Sequence, residues 1–285
     1  MRSGMSNSIT VFGLGIIGSR CADSLSKAGH KVTTWNRTPK DRADETTDAS
    51  QAAQASDILS FYLKDGQACR EVLNQIRTSL RPDHVIINHS TIDLVTTHWL
   101  ATECSVVGCQ FIDSPFTGSK VAAQNGELVY YVGASDILLE QYRSVLEVTS
   151  KEIIPVGKVG NATIIKLVTN LISASTVQAL SESMAIASAH GISPDSLISA
   201  IAGNACGSPL ASMKMPTMNE GNYETHFSLD NMLKDANYAI QLADEAELKT
   251  PGIRTTADTM QKLCDAGSAD LDYSALFQQF TDKPL

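Results

Sequence analysis

No CxxC pair occurs anywhere in this 285-residue chain, although it holds six cysteines. The spacing of a zinc or dithiol site is therefore missing, and no metal is expected. Cys21, Cys69, Cys104, Cys109, Cys206 and Cys264 read as reduced thiols of a cytoplasmic protein. Basic residues are also short, 22 Lys and Arg against 31 Asp and Glu, for a net charge of −9. That balance argues against non-specific nucleic-acid or anionic-membrane partners, which need a basic surface, but leaves room for a local basic pocket. The first eight residues, MRSGMSNS, have no apolar segment, so no secretory signal is expected. The most apolar stretch, 164–180, is interrupted by Lys166, Asn170 and several Ser and Thr residues. It reads as a buried or interdomain helix rather than a membrane span. Internal repeats and low-complexity segments are absent.

The composition that remains, 43% hydrophobic and 19% charged, is that of a folded globular chain. Through the first half, short β runs (SITVFGLG, HKVTTWN, DILSFYL, HVIINHST and CQFIDSP) alternate with helix-length segments such as 16–27 and 67–79. Such alternation predicts βαβ units and a parallel sheet. LVYYVGA and EIIPVGKV add two strands around a helix at 136–148. Beyond Gly160 the pattern is helical. One long helix runs from 161 to 190 and stops at Gly191, and another opens with Ser193 as cap and Pro194 in its first turn. Further helices begin near Ser228 and after Pro251. The expected fold is α/β: a Rossmann-like domain over 1–161, then an all-helical domain over 162–285, joined by the long helix.

A strand runs into Gly13-Leu14-Gly15-Ile16-Ile17-Gly18 and then into a helix. Gly13 permits the tight turn, Gly15 lets a pyrophosphate approach the backbone, and Gly18 lets helix pack on strand. The phosphates would sit at the helix N-terminus, where unpaired N–H groups and the helix dipole favour negative charge. A lone glycine pattern is weak; strand, helix and N-terminal position together make it a dinucleotide site. The second strand ends at Asn36-Arg37-Thr38, where an NAD enzyme usually has an acid for the ribose 2′-hydroxyl. Asn36 brings no charge to repel a 2′-phosphate, while Arg37 and Thr38 offer donors to bind one. Arg37 also reads as an ordinary surface arginine, but its position after the fingerprint favours NADP(H) over NAD(H).

Three later segments carry further polar residues. Thr117, Gly118 and Ser119 follow a strand end, and read equally as a plain loop or as an anion nest for a carboxylate. Lys166 and Asn170 are four residues apart on an otherwise apolar helix, so the lysine either snorkels to water or is held in a site. Desolvation in a site would lower its pKa toward a value useful for proton transfer. The stretch from His226 to Asp235 is, on its residues alone, a helix start capped by Ser228, with Lys234 and Asp235 as surface charges.

These segments in this order resemble the β-hydroxyacid dehydrogenases, the family of 3-hydroxyisobutyrate dehydrogenase. Within it they are most similar to the glyoxylate/succinic semialdehyde reductases. The likeness runs from Ile9 to the Asp270-Leu-Asp-Tyr-Ser-Ala ending, and WNRT, TGSK, the lysine helix and F-x-L-x-x-x-x-K-D carry it. It implies an active site in a cleft between the two domains, with Lys166 as catalytic acid/base. It places Leu63, Lys64, Ser90 and Thr91 beside the cofactor, and has Lys234 reach it. Thr117 and Gly118 would hold the substrate acid, Asn170 would orient it, Phe227 would line the pocket, and Asp235 would support the site. Thr117 stands where the family usually has serine, and Ser119-Lys120 replaces a Gly-Gly pair. Asn88 stands where aspartate is common.

The expected reaction is hydride transfer from NADPH to a small carboxylate-bearing carbonyl, with glyoxylate and succinic semialdehyde leading and 3-hydroxyisobutyrate oxidation next. Lys166 would protonate the nascent alkoxide and stabilise its charge. The family implies a homodimer or homotetramer. An imine reductase, which generally lacks this lysine, and a catalytically silent dinucleotide-binding protein are the competing readings.

Overall fold

The computed structural model describes residues 6–281; the part of the leader reading that falls on residues 1–5 lies outside that range. The chain divides after Lys166 into two compact units.

In the first unit, β1 (Ser8–Phe12), β2 (Lys31–Trp35), β3 (Ile58–Phe61), β4 (Val85–Asn88) and β5 (Gln110–Asp113) form a parallel sheet in the order β2-β1-β3-β4-β5. Their residues alternate between two apolar layers. Phe12, Leu59, Phe61, Ile86 and Phe111 face one side, and Ile9, Val11, Ile58, Val85, Ile87 and Ile112 the other. Each such side chain, taken fully out of water, contributes about 1.5–3 kcal/mol, which is why these short runs are strands covered on both faces. The first layer is covered by α2 (Ala49–Gln54), α3 (Gly66–Ile76) and α4 (Leu94–Val107). The second is covered by α1 (Ile16–Lys27), α5 (Lys120–Asn125) and α6 (Asp136–Leu146). In α1 the buried set is Gly18, Cys21, Ala22 and Leu25, and in α3 it includes Cys69, Val72, Leu73 and Ile76. Both follow the i, i+3, i+4, i+7 stripe of a helix with one face on a core.

The sheet is not parallel throughout. β7 (Leu128–Gly133) runs antiparallel to β5 and to the two-residue β6 (Phe116–Thr117), and β8 (Ser150–Gly157) then pairs parallel with β7. A parallel return needs a crossover of a dozen or more residues packed on the sheet. Here only α5, six residues long, lies between β6 and β7, so the chain folds back instead.

The helix α7 (Asn161–Ala189) begins in the first unit and continues into the second. By length and composition it resembles a membrane span. Yet its buried residues include Lys166, Asn170, Gln178 and Ser181. Gly191, at φ +75°, follows it as expected of a helix stop. The rest is α8 (Pro194–Ala202), α9 (Pro209–Glu220), α10 (Leu229–Glu245), α11 (Pro251–Leu263) and a 3-10 segment at Tyr273–Phe280. Ser193 and Ser228 cap α8 and α10 through the Ser196 and Asn231 amides. The core of this unit joins Val177 and Met184 of α7, Met215 and Met218 of α9, Met232 and Leu233 of α10, and Ile253 and Met260 of α11.

Candidate active site

The glycine turn sits where β1 and β3 are neighbours but their connections leave in opposite directions, the switch point at which open α/β sheets bind ligands. Gly13 has φ +98°, and a Cβ there would lie 2.3 Å from the Tyr62 carbonyl oxygen. A Cβ on Gly18 would come within 2.0 Å of the Gly13 carbonyl oxygen, so the first turn of α1 is pressed onto the loop. Gly15 differs: a Cβ there would meet nothing within 4 Å. It is also the N-cap of α1, with no side chain closing the helix end. Tight backbone at Gly13 and Gly18 beside open space at Gly15 fits a pyrophosphate on the helix N-terminus. Leu14 is buried, while Ile16 is 44% exposed at the mouth.

Asn36 clamps the glycine turn to the end of β2. Its Oδ1 accepts from the Leu14 amide at 2.9 Å, and its Nδ2 donates to the Thr38 carbonyl at 2.6 Å. An aspartate could accept the first bond but not donate the second. Arg37 is 81% exposed, 3.7 Å from the half-exposed Glu71. An exposed pair at that distance contributes little, so the guanidinium is available to a stronger anion. Thr38 and Lys64 are exposed and Leu63 and Thr91 half-buried. The Leu63 amide donates to Ser90 Oγ at 2.8 Å, which ties the ends of β3 and β4 together next to Gly13. Asn88 folds onto the same turn, accepting from the Ser90 amide and donating to the Ser90 carbonyl. This gives the asparagine a physical reason: a buried aspartate there would face that carbonyl with no proton to offer.

Thr117 and Gly118 are exposed at the end of β6. Gly118 adopts φ +142°, where a Cβ would strike Leu128, so only glycine fits. Ser119 caps α5 through the Ala122 amide, so its hydroxyl is engaged while Thr117 and the Gly118 backbone stay open to solvent.

On α7, Lys166 and Asn170 are each 9% exposed and one turn apart. Within the second unit, Asn170 Nδ2 donates to Asp235 Oδ2 at 2.7 Å, and Lys234 Nζ lies 2.8 Å from Asp235 Oδ1. Asp235 is 1% exposed, so it is a buried anchor and not a surface charge. Lys234 also lies over the Tyr238 ring. Phe227 packs edge-on against Tyr273, and its amide donates to Asp272.

Residues 8–157 match the family model described as the NAD binding domain of 6-phosphogluconate dehydrogenase. Residues 160–280 match the one described as NAD-binding of NADP-dependent 3-hydroxyisobutyrate dehydrogenase. Two Arabidopsis thaliana proteins, glyoxylate/succinic semialdehyde reductase 1 and the chloroplastic reductase 2, are each 29% identical to this chain. The alignments cover 93% of this chain and 96% of reductase 1, and 95% and 78% for reductase 2. Among solved structures, the 3-hydroxyisobutyrate dehydrogenase of Mycobacterium tuberculosis with L-serine superposes with a TM-score of 0.88. It is 25% identical, over 96% of this chain and 99% of that one. The chain belongs to the β-hydroxyacid dehydrogenase family. It is an NAD(P)-dependent oxidoreductase of that type, with a nicotinamide dinucleotide as cofactor.

Two groups of this dehydrogenase escaped sequence reasoning. His89 is sandwiched between Tyr62 (ring centroids 4.5 Å apart), which lies against Gly13 and Gly18, and Tyr130 (4.7 Å). Its Nδ1–H donates to the Ser114 carbonyl at 2.8 Å, and burial pushes its pKa down to about 4, so it is a neutral packing histidine. Tyr62 and Tyr130 share a hydroxyl hydrogen bond of 2.8 Å, extended to Thr149. The second group is Asp113, which opens the TGSK segment in sequence but turns away from it. It bonds instead to the start of α7.

Proposed function

We propose that this dehydrogenase reduces a small oxo-acid or semialdehyde, glyoxylate or succinic semialdehyde, with NADPH, and that Lys166 is its general acid. The observation that carries the reading is the buried Lys166, one helical turn from an Asn170 whose amide is fixed by Asp235. A lysine kept from water on an apolar helix is placed for proton transfer and not for solubility. The reduced nicotinamide, when bound, supplies the hydride. Lys166 then holds the carbonyl oxygen through its ammonium group and delivers a proton to it. Asn170 orients the substrate, with its amide nitrogen already committed to Asp235. Thr117 and the Gly118 amide hold the carboxylate, and Phe227 supplies an apolar wall. Asp235 has one oxygen on Lys234 and one on Asn170, which makes it a positioning residue. The dinucleotide is held by Gly13–Gly18, Asn36, Arg37 and Thr38, with Leu63, Lys64, Ser90, Thr91 and Lys234 around it. The reading includes a homodimer or homotetramer and a cytoplasmic location; light scattering of the purified protein tests the former.

The test is NADPH consumption against a panel of oxo-acids. Oxidation of 3-hydroxyisobutyrate, favoured by the match of residues 160–280, is the second reading and is run in reverse with NADP⁺ and NAD⁺. Two outcomes are expected beyond turnover. Succinic semialdehyde should exceed butyraldehyde in kcat/KM by at least tenfold, since a site built for a carboxylate loses its contacts when none arrives. Equal values would remove Thr117 and Gly118 from substrate binding. Arg37→Ala should raise KM for NADPH and leave NADH nearly unchanged. A charge-assisted hydrogen bond contributes about 1.5–3 kcal/mol, and the exposure of Arg37 puts the effect at the low end, about tenfold. A wild-type enzyme that uses NADH as efficiently as NADPH would refute the cofactor preference.

A further inference from the structure

Asp113 ends β5 fully buried, and its carboxylate reaches 47 to 50 residues along the chain. Oδ2 accepts from the backbone amides of Gly160 and Thr163, each at 3.0 Å, and Oδ1 accepts from Thr163 Oγ1 at 2.9 Å. These are unpaired donors at the start of α7, where Gly160, at φ +93°, precedes the helix with no side chain to cap it. The cap is thus supplied from the sheet. Thr163 Oγ1 also shares a 2.9 Å hydrogen bond with Thr97 Oγ1 of α4, and a Cβ on Gly160 would lie 2.6 Å from His98 of the same helix. So the first turn of α7 is pinned to β5 and α4 at once.

Lys166 stands three residues after Thr163, on the same helical face. We propose that Asp113 is the positioning residue for Lys166, holding with its charge and its three hydrogen bonds the turn of helix from which the lysine projects. This rests on the reading of Lys166 as general acid. A serine or threonine would cap a helix without a charge. A carboxylate does more here, because an ammonium in the second turn is opposed by the positive end of the helix dipole, and a negative charge at that end offsets the opposition. The carboxylate is kept against its own preference: burial outweighs its hydrogen bonds and raises its pKa to about 6. His98 is the titratable group that faces it, drawing the pKa down slightly. The other neighbours, Thr97, Thr163, Gly160, Gly133 and the register partner Asn88, are neutral.

The experiment follows hydrogen–deuterium exchange of residues 158–170 in the whole protein between pH 5 and 8, corrected for intrinsic rates, beside kcat with NADPH and succinic semialdehyde. In the wild type, protection at the start of α7 and kcat should both fall as pH drops through about 6. Asp113→Asn should lower kcat at least tenfold and abolish that transition, with NADPH affinity within twofold of wild type. Thr163→Val keeps the charge but removes one hydrogen bond to it, so the transition should move up by about one pH unit. That variant decides the matter if Asp113→Asn does not fold. An exchange transition and kcat profile unmoved in Thr163→Val overturn the proposal, as does a wild-type kcat in folded Asp113→Asn. Lys166→Met separates the two readings. Normal turnover by it sinks the lysine reading and leaves the exchange transition standing, whereas an inactive Lys166→Met beside an unaltered Thr163→Val sinks this one.

Discussion

Lys214→Met is expected to destabilise the helical unit by about 3–5 kcal/mol, the range for removing one partner of a buried ion pair. Lys214 Nζ lies 2.6 Å from Asp272 Oδ1, with the side chains 5% and 3% exposed, and it sits over the Tyr273 ring at 4.4 Å. Methionine keeps most of the volume, so the loss reports charge and not a cavity. Asp272 would be left buried with hydrogen bonds from Ser274 and from the His226 and Phe227 amides but no cation. Burial alone would raise the Asp272 pKa; Lys214 and the Ser274 donors more than offset that and hold it below the usual carboxylate value. A depressed folded-state pKa contributes stability above the unfolded pKa, and that stability is lost as pH falls through the folded value. The deficit of the variant should therefore be largest near pH 7 and shrink as pH drops through the carboxylate range. Asp272→Asn in the same background should recover part of it, since neither charge then remains. Urea titrations at pH 7 and pH 4 measure both effects, and a loss under 1 kcal/mol at pH 7 would show that the pair is incidental. Asp272 also holds the amide of Phe227, the apolar wall of the proposed substrate site, so a loosened helix start should raise substrate KM before it touches NADPH binding.

The same lysine explains what was hidden in the sequence. The buried stripe of α9 is Ala211, Lys214, Met215 and Met218, a regular i, i+3, i+4, i+7 series with a charge in it and Pro216 inside the helix. A pattern search rejects a core position occupied by lysine, and only the arrival of Asp272 from 58 residues away makes it acceptable. By contrast α1 and α3 were legible because every position of their stripe is apolar or glycine. Gly191, Ser193 and Ser228 were legible because capping is local chemistry. The antiparallel β7 was not. Its direction follows from the shortness of α5 and from Gly118 and Gly126, both at positive φ, which are quiet in a sequence that reads as strand, loop, strand. The site divides along the same line. The glycine fingerprint encodes its own geometry within six residues. Asp113, Asn36 and Asp235 act on partners distant in sequence or on a loop's backbone, and no spacing rule announces them.

Lys166→Met should leave a folded protein that binds NADPH and hardly turns over. The proton transfer assigned to Lys166 typically contributes about 10²–10⁴-fold, and loss of the positive charge beside the carbonyl oxygen adds to that. Methionine spans nearly the same length as the lysine stem, so α7 keeps its packing beside Leu167 and Asn170. The N-terminal cap from Asp113 is likewise untouched. Cofactor affinity should change less than twofold, because the dinucleotide contacts proposed above, Gly13–Gly18 and Arg37, do not include Lys166. The expected signature is thus a fall in kcat and kcat/KM together by two orders of magnitude or more, with KM for NADPH unchanged, the pattern of an interaction made in the transition state. A rise in substrate KM with kcat preserved would instead mean that Lys166 binds the substrate acid and donates no proton. A Lys166→Met enzyme within tenfold of wild-type kcat would move the proton elsewhere. Asp235 is then a poor replacement, since Lys234 and the Asn170 amide already occupy its two oxygens.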